Sequence, residues 1–511
     1  MRIFLLQPPV QDFYETDIRL QPLGLAYLKA IILEKFPDVE VCLRDFHAGH
    51  GRKTIALPPE FNHLKNYYRG KERGAFSTFS AYFHFGASFE QIACEVLSWR
   101  PDVVGISSLF SPYYREVLLC ARAIKQKMNI PIIVGGGHAS VCPELMLNSN
   151  AVDFVIRGEG ERPIVQWIGE WKKERDWRRV SNLAYKEDGR IILNDMEENY
   201  SLEELPSPDF SDLDGSLYSF EKRPLSFIMT SRSCPFNCAF CSVHSVFGRD
   251  FRQRSIDGVI NEMKKRFQEG VRVFDFEDDN LTFDRQWFLN FCARIKSVFE
   301  GEQIELMAMN GISYFCLDPE VLLAMKESGF RKLNISLVSL SEKVCHEMSR
   351  PLDRLRFEKV VETANLLGLE VTAYQIIGLP GEPLESMIQT LGLLARLPVL
   401  IGISVFYLPP GSDLQKRMKI MSEEEIFSAR LSVMSEISIE IDRECLFTFF
   451  ILARMLNYFK SGKKEFWAEE ALSRIKVEKK YYRHLNGHWT EEPRFRYDLM
   501  QKVFDEADII I

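Results

Sequence analysis

The sequence predicts an α/β protein in three parts. Two observations carry this: two separate series in which short β-branched runs alternate with amphipathic helical runs, and a polar, proline-punctuated segment between them. Strands alternating with helices of ten to fifteen residues imply βαβ units and a parallel sheet. The expected boundaries are an N-terminal doubly wound domain over 1–190, a linker over 191–222, a partial (β/α)6 barrel over 223–414 and a helical region over 415–511. A length of 511 residues suits about three domains at roughly 150 residues each.

In the first series, Ile3–Leu6, Val39–Leu43, Val103–Ser107, Ile132–Val134 and Phe154–Ile156 read as strands. Leu23–Lys35, Phe89–Ser98 and Tyr113–Lys127 read as helices between them. Ligands of such sheets bind outside the carboxyl ends of the strands. Those ends carry Gln7-Pro8-Pro9, Ser107-Ser108, Gly135-Gly136-Gly137-His138 and Gly158-Glu159-Gly160-Glu161. Glycine there suits either close backbone approach to a large flat ligand or a tight β-to-α turn. Residues 46–88 break the pattern and read as an inserted loop or lid. Arg190–Phe210, with Pro206-Ser207-Pro208, reads as the linker.

The second series has expected strands at Leu225–Thr230, Val271–Phe276, Glu305–Met309, Lys332–Ser336, Glu370–Ile377 and Ile401–Phe406. Six strands with intervening helices resemble a partial TIM barrel, whose active sites lie at the C-terminal strand ends. Beyond 415 the chain reads as helices, with an aromatic run at Phe447, Phe449, Phe450, Tyr458 and Phe459 and a basic patch over Lys476–Arg483. The aromatic spacing is helical and reads as core, with a substrate-pocket wall as the alternative.

Composition narrows the function classes. Lys+Arg 64 against Asp+Glu 72 gives a formal charge of -8, without the basic stripe of a nucleic-acid binder. The apolar start Ile3–Leu6 stops at Pro8-Pro9, too short for a signal-peptide core. The apolar stretch Leu446–Ala453 falls short of the ~20 residues that span a bilayer, so no transmembrane segment is expected. Eleven cysteines, mostly single and in apolar surroundings, suit a reducing compartment, and a cytoplasmic location is expected.

The exception to that scatter follows the first barrel strand: Cys234-Pro235-Phe236-Asn237-Cys238-Ala239-Phe240-Cys241. Three sulfurs on one tight loop can face one centre. Structural zinc takes four protein ligands, usually as two pairs, and no second pair lies nearby. Three thiolates on a cubane iron–sulfur cluster leave one iron open to a substrate or cofactor. The isolated Cys292, Cys316, Cys345 and Cys445 read as packing residues.

This loop, with Phe240 directly before its last cysteine, resembles that of the radical S-adenosylmethionine enzymes. The resemblance implies a 4Fe-4S cluster on Cys234, Cys238 and Cys241, with S-adenosylmethionine on the fourth iron. It also implies an external electron donor such as a flavodoxin or ferredoxin. Further motifs follow in family order. Phe276-Glu277-Asp278-Asp279-Asn280 ends the second strand; alone, its acids also suit a Mg²⁺ site or a solvated turn. Asn334-Ile335-Ser336-Leu337-Val338-Ser339 ends the fourth, with Val338 where relatives carry an acid. Gln375-Ile376-Ile377-Gly378-Leu379-Pro380-Gly381-Glu382 matches the fifth, and Tyr407-Leu408-Pro409-Pro410-Gly411-Ser412 the turn after the sixth. The implied S-adenosylmethionine contacts are Phe240, Asp278, Asp279, Ser336, Ser339, Gln375 and Gly378.

The N-terminal strand ends, with Pro22-Leu23-Gly24-Leu25-Ala26-Tyr27-Leu28, resemble the Rossmann-like cobalamin-binding domain that precedes the radical barrel in one large subfamily. That subfamily includes anaerobic cyclases and hopanoid and chlorin methylases, and the resemblance covers residues 1 to about 412. It implies cobalamin along Pro8, Ser107, Ser108, Gly135, Gly136, Gly137, Gly158, Glu159 and Gly160. The usual Asp-x-His-x-x-Gly is replaced by Asp45-Phe46-His47-Ala48-Gly49-His50, with His50 in the glycine slot. Base-off cobalamin with no histidine ligand is therefore expected.

The expected activity is methylation of an unactivated carbon in a small-molecule, lipid or tetrapyrrole substrate. Cyclisation or rearrangement with the same cofactors, and a non-catalytic cobalamin or redox sensor, are the alternatives. A methylthiotransferase would need a second cysteine trio, available only if the fold gathered Cys42, Cys94, Cys120 and Cys142.

Overall fold

Strand after strand in the N-terminal third places alternate apolar side chains on opposite faces, and each face is covered by helices. A computed structural model describes residues 1–14, 20–67, 81–197, 200–438, 440–461 and 495–508. The N-terminal strands are β1 (Arg2–Gln7), β2 (Val10–Asp12), β3 (Glu40–Asp45), β4 (Arg52–Ile55), β5 (Tyr82–Phe85), β6 (Val103–Ser107), β7 (Ile132–Gly135), β8 (Phe154–Ile156), β9 (Leu183–Glu187) and β10 (Arg190–Leu193). Seven form one sheet in the order β10-β9-β8-β7-β6-β1-β3. On one face, Phe4, Leu6, Val104, Ile106 and Val134 meet helices Phe89–Trp99 and Tyr114–Lys127. On the other, Ile3, Leu5, Val103 and Ile133 meet helices Leu23–Lys35 and Glu161–Trp171. This two-residue alternation, buried on both sides, makes the sheet the middle of three layers.

β1 pairs in parallel with β3 on one side and β6 on the other, so the side on which successive strands are added reverses there. That reversal opens a crevice at the strand C-termini. Two expectations are corrected. The start of the expected linker, Arg190–Leu193, is β10, paired antiparallel to β9 and closing the sheet edge. The expected loop or lid over 46–88 contributes β4 and β5, which join β2 in a three-stranded antiparallel sheet. Phe83 and Phe85 of β5 pack with Val10 of β2, which stands directly opposite Phe85, and hold this sheet together.

The second series forms β11 (Ser219–Phe220), β12 (Arg223–Ile228), β13 (Ser231–Arg232), β14 (Arg252–Gln253), β15 (Val273–Phe276), β16 (Glu305–Met307), β17 (Lys332–Val338), β18 (Glu370–Ile377) and β19 (Leu400–Val405). β12, β15 and β16 pair in parallel, as do β17, β18 and β19. Parallel bridges Leu306↔Phe330 and Ile312↔Ile335 link the two halves. The result is a partial barrel of six parallel strands with helices outside.

The open edge is covered rather than left to solvent. Helix Arg443–Ser461 lies along β19, where the Asn457 amide accepts from the Ile401 N–H at 2.8 Å and donates to its carbonyl at 2.7 Å. Phe447 and Phe449 of that helix are buried in the barrel core and Phe450 packs against it. The Tyr458 and Phe459 side chains and the patch Lys476–Arg483 lie outside the described residues. Among the described residues, no helix is long and apolar enough to cross a membrane.

Candidate functional site

The three cysteines sit on the loop that leaves the C-terminal end of β12, and a short ladder ties off its base. β13 and β14 pair antiparallel, Ser231 opposite Gln253 and Arg232 opposite Arg252, so residues 233–251 leave and return at one point. Ser233, directly before Cys234, has φ +72 and is fully buried. Its N–H donates to Asp279 at 3.1 Å and its hydroxyl to the Gly248 carbonyl at 2.8 Å. A non-glycine residue in the left-handed region persists only where its surroundings over-determine it. Here those hydrogen bonds aim the chain into the cysteine loop.

Inside the loop, the His244 ring lies 2.7 Å from the Cys234 carbonyl. The Asn280 amide reaches the thiols of Cys234 (3.9 Å) and Cys316 (3.8 Å). The Arg350 guanidinium reaches Cys238 Sγ at 3.7 Å and the Ser336 carbonyl at 3.1 Å. Cys241 is exposed, yet desolvation by the surrounding protein pushes its thiol up to about 11, and burial also raises Cys234. Both must lose that proton to ligate iron. Among the described residues, no three His, Cys, Asp or Glu side chains are drawn together around a single metal ion. That holds for this loop as well as for Cys42, Cys94, Cys120 and Cys142, so no second trio is gathered. A cubane's cysteines sit on different irons, and three thiols spread over one half-buried loop beside Asn280 and Arg350 fit such a cluster.

The expected S-adenosylmethionine positions divide. Phe240 packs beside Ala239, Val338 and Leu379 at the barrel mouth, and Asp279 is exposed there, its carboxyl pushed up to about 7 by crowding and by Asp278. Ser336 is half-buried and Gly378 turns with φ +78. The other three serve the scaffold. Asp278, 1% exposed, accepts from the Thr230 N–H and hydroxyl and from the Ser231 hydroxyl, tying β15 to β12. Ser339 is buried against Glu382 and Ser386. Gln375, also fully buried, donates to the Met387 carbonyl on the outer helix Leu384–Arg396. Val338 takes φ +72 at a register shift in β17, an outlier for a β-branched residue.

Opposite the cysteine loop stand the strand ends of the N-terminal sheet, with a cleft of about 310 Å³ between them. It is lined by Leu109–Tyr113, Gly137 and Val141 from that sheet, and by Ser242 and Val246 from the cysteine loop. Tyr407, Pro409 and Pro410 after β19, Ala429–Leu431 and Tyr14 complete the wall. The three sides touch directly. Ser245 donates to the Gly411 carbonyl at 2.7 Å, and a Cβ on Gly411 would lie 2.3 Å from Val141 Cγ1.

Of the expected cobalamin positions, Gly137 lines this cleft. Pro8 and Ser108 are buried below it, and the Ser108 hydroxyl is among the buried polar groups left without a partner. Gly136 (φ +112) and Gly137 let two loops nest, since a Cβ would lie 2.8 Å from the Ser108 carbonyl oxygen and 2.7 Å from that of Leu109. Ser107, Gly135, Gly158 and Gly160 stand at the same strand ends. Glu159 turns its carboxylate to Arg252 and Arg232 of the barrel. His47 is buried with its ring beside Phe85 of the small sheet. A concave cleft at the strand ends, with Gly137 on its wall, the unpartnered Ser108 hydroxyl buried next to its Leu109 lining and the cysteine loop opposite, fits a flat cofactor placed against a cluster.

Residues 228–394 match the Radical SAM superfamily, and residues 78–167 match the B12 binding domain. The chain belongs to the B12-binding radical SAM family. An uncharacterized methyltransferase of Pyrococcus horikoshii is 29% identical over 78% of this chain and 79% of its own. Cytidylyl-2-hydroxyethylphosphonate methyltransferase of Streptomyces wedmorensis is 26% identical over 76% and 75%. The anaerobic magnesium-protoporphyrin IX monomethyl ester cyclase of Rubrivivax gelatinosus is 26% identical over 59% and 56%. The radical S-adenosylmethionine methyltransferase TsrM of Kitasatospora setae, solved with cobalamin and a 4Fe-4S cluster, shares the fold with a TM-score of 0.61 at 13% identity, covering 81% of this chain and 76% of its own. This B12-binding radical SAM protein is thus a cobalamin-dependent radical SAM enzyme.

Sequence reasoning missed the arginines around this candidate site. Arg232, Arg252, Arg350 and Arg430 lie outside every motif and are brought in by pairing or by distant chain.

Proposed function

We propose that the protein is a C-methyltransferase acting on an unactivated carbon of a small molecule, with its two cofactor sites facing across the cleft. The observation that carries this reading is the match to two methyltransferases over three quarters or more of their lengths and of this chain. The cyclase match covers 59% of the chain. When bound, the cluster with S-adenosylmethionine supplies the radical that takes hydrogen from carbon, and cobalamin supplies the methyl group.

The chain's own residues bind, aim and shield. Cys234, Cys238 and Cys241 are the proposed cluster ligands, with Phe240, Asp279, Ser336 and Gly378 nearest to S-adenosylmethionine. Leu109–Tyr113 and Gly137 would form the shelf that holds cobalamin. Tyr14, Phe110, Tyr113 and Tyr407 border the cleft. Such aromatic walls exclude water and present apolar faces to a reacting carbon.

The test is isotopic. Anaerobic enzyme with reductant, cobalamin and S-adenosylmethionine carrying a trideuterated methyl is incubated with small-molecule extract. A metabolite gaining the trideuteromethyl group on carbon is the expected result. Turnover with a product lacking the label assigns the chain to cyclisation or rearrangement.

A further inference from the structure

The ladder at the base of the cysteine loop sets two arginines opposite each other, since Arg232 pairs with Arg252 across β13 and β14. Like charges directly opposed in an antiparallel pair are destabilising. Neither arginine belongs to the surface: their side chains are 6% and 18% exposed. The carboxylates that neutralise them come from the other domain, from the turn after β8. Glu159 Oε1 lies 2.6 Å from Arg252 Nη2 and 3.2 Å from Arg232 Nη1, and its Oε2 accepts from Arg252 Nη1 at 3.1 Å. Glu161 takes Arg232 Nη2 at 2.6 Å. The Tyr200 N–H completes the Glu159 shell at 2.8 Å, and Arg252 also donates to the Tyr200 carbonyl at 2.7 Å. Gly158 turns with φ +67 to bring the glutamates round, and a Cβ there would meet the Val246 carbonyl oxygen of the cysteine loop at 3.3 Å.

From this geometry we propose that Glu159 is the positioning residue of the cluster loop. It closes the base of residues 233–251 from the cobalamin-binding side, so that retention of the cluster depends on a residue that is not its ligand. The inference rests on the reading that Cys234, Cys238 and Cys241 hold a cluster. Both arginines of the ladder converge on this one carboxylate, and Arg232 stands two residues before Cys234. With Glu159 neutral, one remaining carboxylate faces two buried guanidinium groups, and the cheapest relief is to part β13 from β14. That opens the loop and spreads the cysteines.

The experiment uses full-length protein reconstituted anaerobically with iron and sulfide. Iron and sulfide per chain, the electron paramagnetic resonance spectrum of the reduced cluster and the rate of iron loss to a chelator are measured for four proteins. These are the wild type, Glu159→Gln, Glu159→Asp and the double variant Glu159→Gln/Arg252→Gln. Glu159→Gln is expected to hold less than half the wild-type iron. Glu159→Asp keeps the charge on a shorter side chain, and is expected to load fully but to release iron severalfold faster. The double variant removes the surplus charge and is expected to regain most of the iron. Retention, spectrum and release rate at wild-type values in Glu159→Gln and Glu159→Asp overturn the proposal. So does a double variant no better than the single one, because a general packing defect would not be relieved by losing Arg252. Wild-type protein that takes up no iron refutes the cluster reading itself, whatever the variants do.

Discussion

Arg430 offers the sharpest energetic test of how the cleft is walled. Its side chain is 5% exposed and that of its partner Asp12 is 1% exposed, although the two lie 418 residues apart. The guanidinium pairs with Asp12 Oδ2 at 3.1 Å and donates to the carbonyls of Gln11 (2.9 Å), Pro112 (2.7 Å) and Phe427 (3.1 Å). It therefore fastens the chain around 426–433 onto the cobalamin-binding domain, beside the stacked rings of Phe61 and Phe427. Arg430→Met keeps length and removes charge. Breaking a buried pair on one side costs about 3–5 kcal/mol. Asp12 keeps the Tyr113 hydroxyl at 2.7 Å and the Phe13 N–H at 2.7 Å, so the low end, about 3 kcal/mol, is expected. At 1.4 kcal/mol per decade, hydrogen-exchange protection over 421–433 should fall roughly a hundredfold and cobalamin affinity should drop with it. Adding Asp12→Asn removes the stranded charge and should recover most of the loss. Protection within about threefold of wild type, or a double variant no better than the single one, would refute this reasoning.

Three further outcomes follow from the same coordinates. Glu116 is buried and its carboxyl is pushed up to about 7, chiefly by desolvation. Its folded pKa lies above its unfolded value, so its contribution to stability is present below about pH 4.5 and is lost as pH rises through about 7. Glu116→Gln should therefore raise the melting temperature at pH 8, with a gain of up to ~3 kcal/mol that vanishes towards pH 5 in calorimetry. Lys460 donates to the carbonyls of Leu394 (2.7 Å), Leu397 (3.0 Å) and Val399 (3.0 Å), closing the end of helix Leu384–Arg396. Lys460→Met strands those oxygens and should cost about 2–3 kcal/mol in urea unfolding. Gly136→Ala places a Cβ against the Ser108 carbonyl at φ +112, and should cost about 1–3 kcal/mol and weaken cobalamin binding at least tenfold in a spectrophotometric titration.

Much of the fold was legible because the buried strands are short runs rich in β-branched residues. Val103–Ser107, Phe154–Ile156 and Glu370–Ile377 lie where their composition places them. Helix Leu23–Lys35 likewise ends where Pro37 forbids its continuation. Two-residue elements were not legible. β13 and β14 are too short to show periodicity, and they exist because their ends are pinned by Asp279 and Glu159. At the candidate site, the cysteine spacing was readable because all three thiols lie on one loop. The inward turn of the Asp278, Ser339 and Gln375 side chains was not legible, because a motif places a residue at a strand end without saying whether its side chain faces the mouth or the packing layer. Glu159 and Arg252 lie 93 residues apart, and no local pattern joins them.

The most direct test of the central claim needs no known substrate. Protein purified without oxygen is reconstituted with iron, sulfide and cobalamin and given S-adenosylmethionine and a strong reductant. 5′-Deoxyadenosine and S-adenosylhomocysteine are then quantified for wild type and Cys238→Ala. A methyl-transferring enzyme forms both, the second only with cobalamin, and Cys238→Ala loses the cluster and the deoxyadenosine. Deoxyadenosine without S-adenosylhomocysteine would contradict methyl transfer, and a Cys238→Ala protein that keeps its iron and its deoxyadenosine would contradict the site.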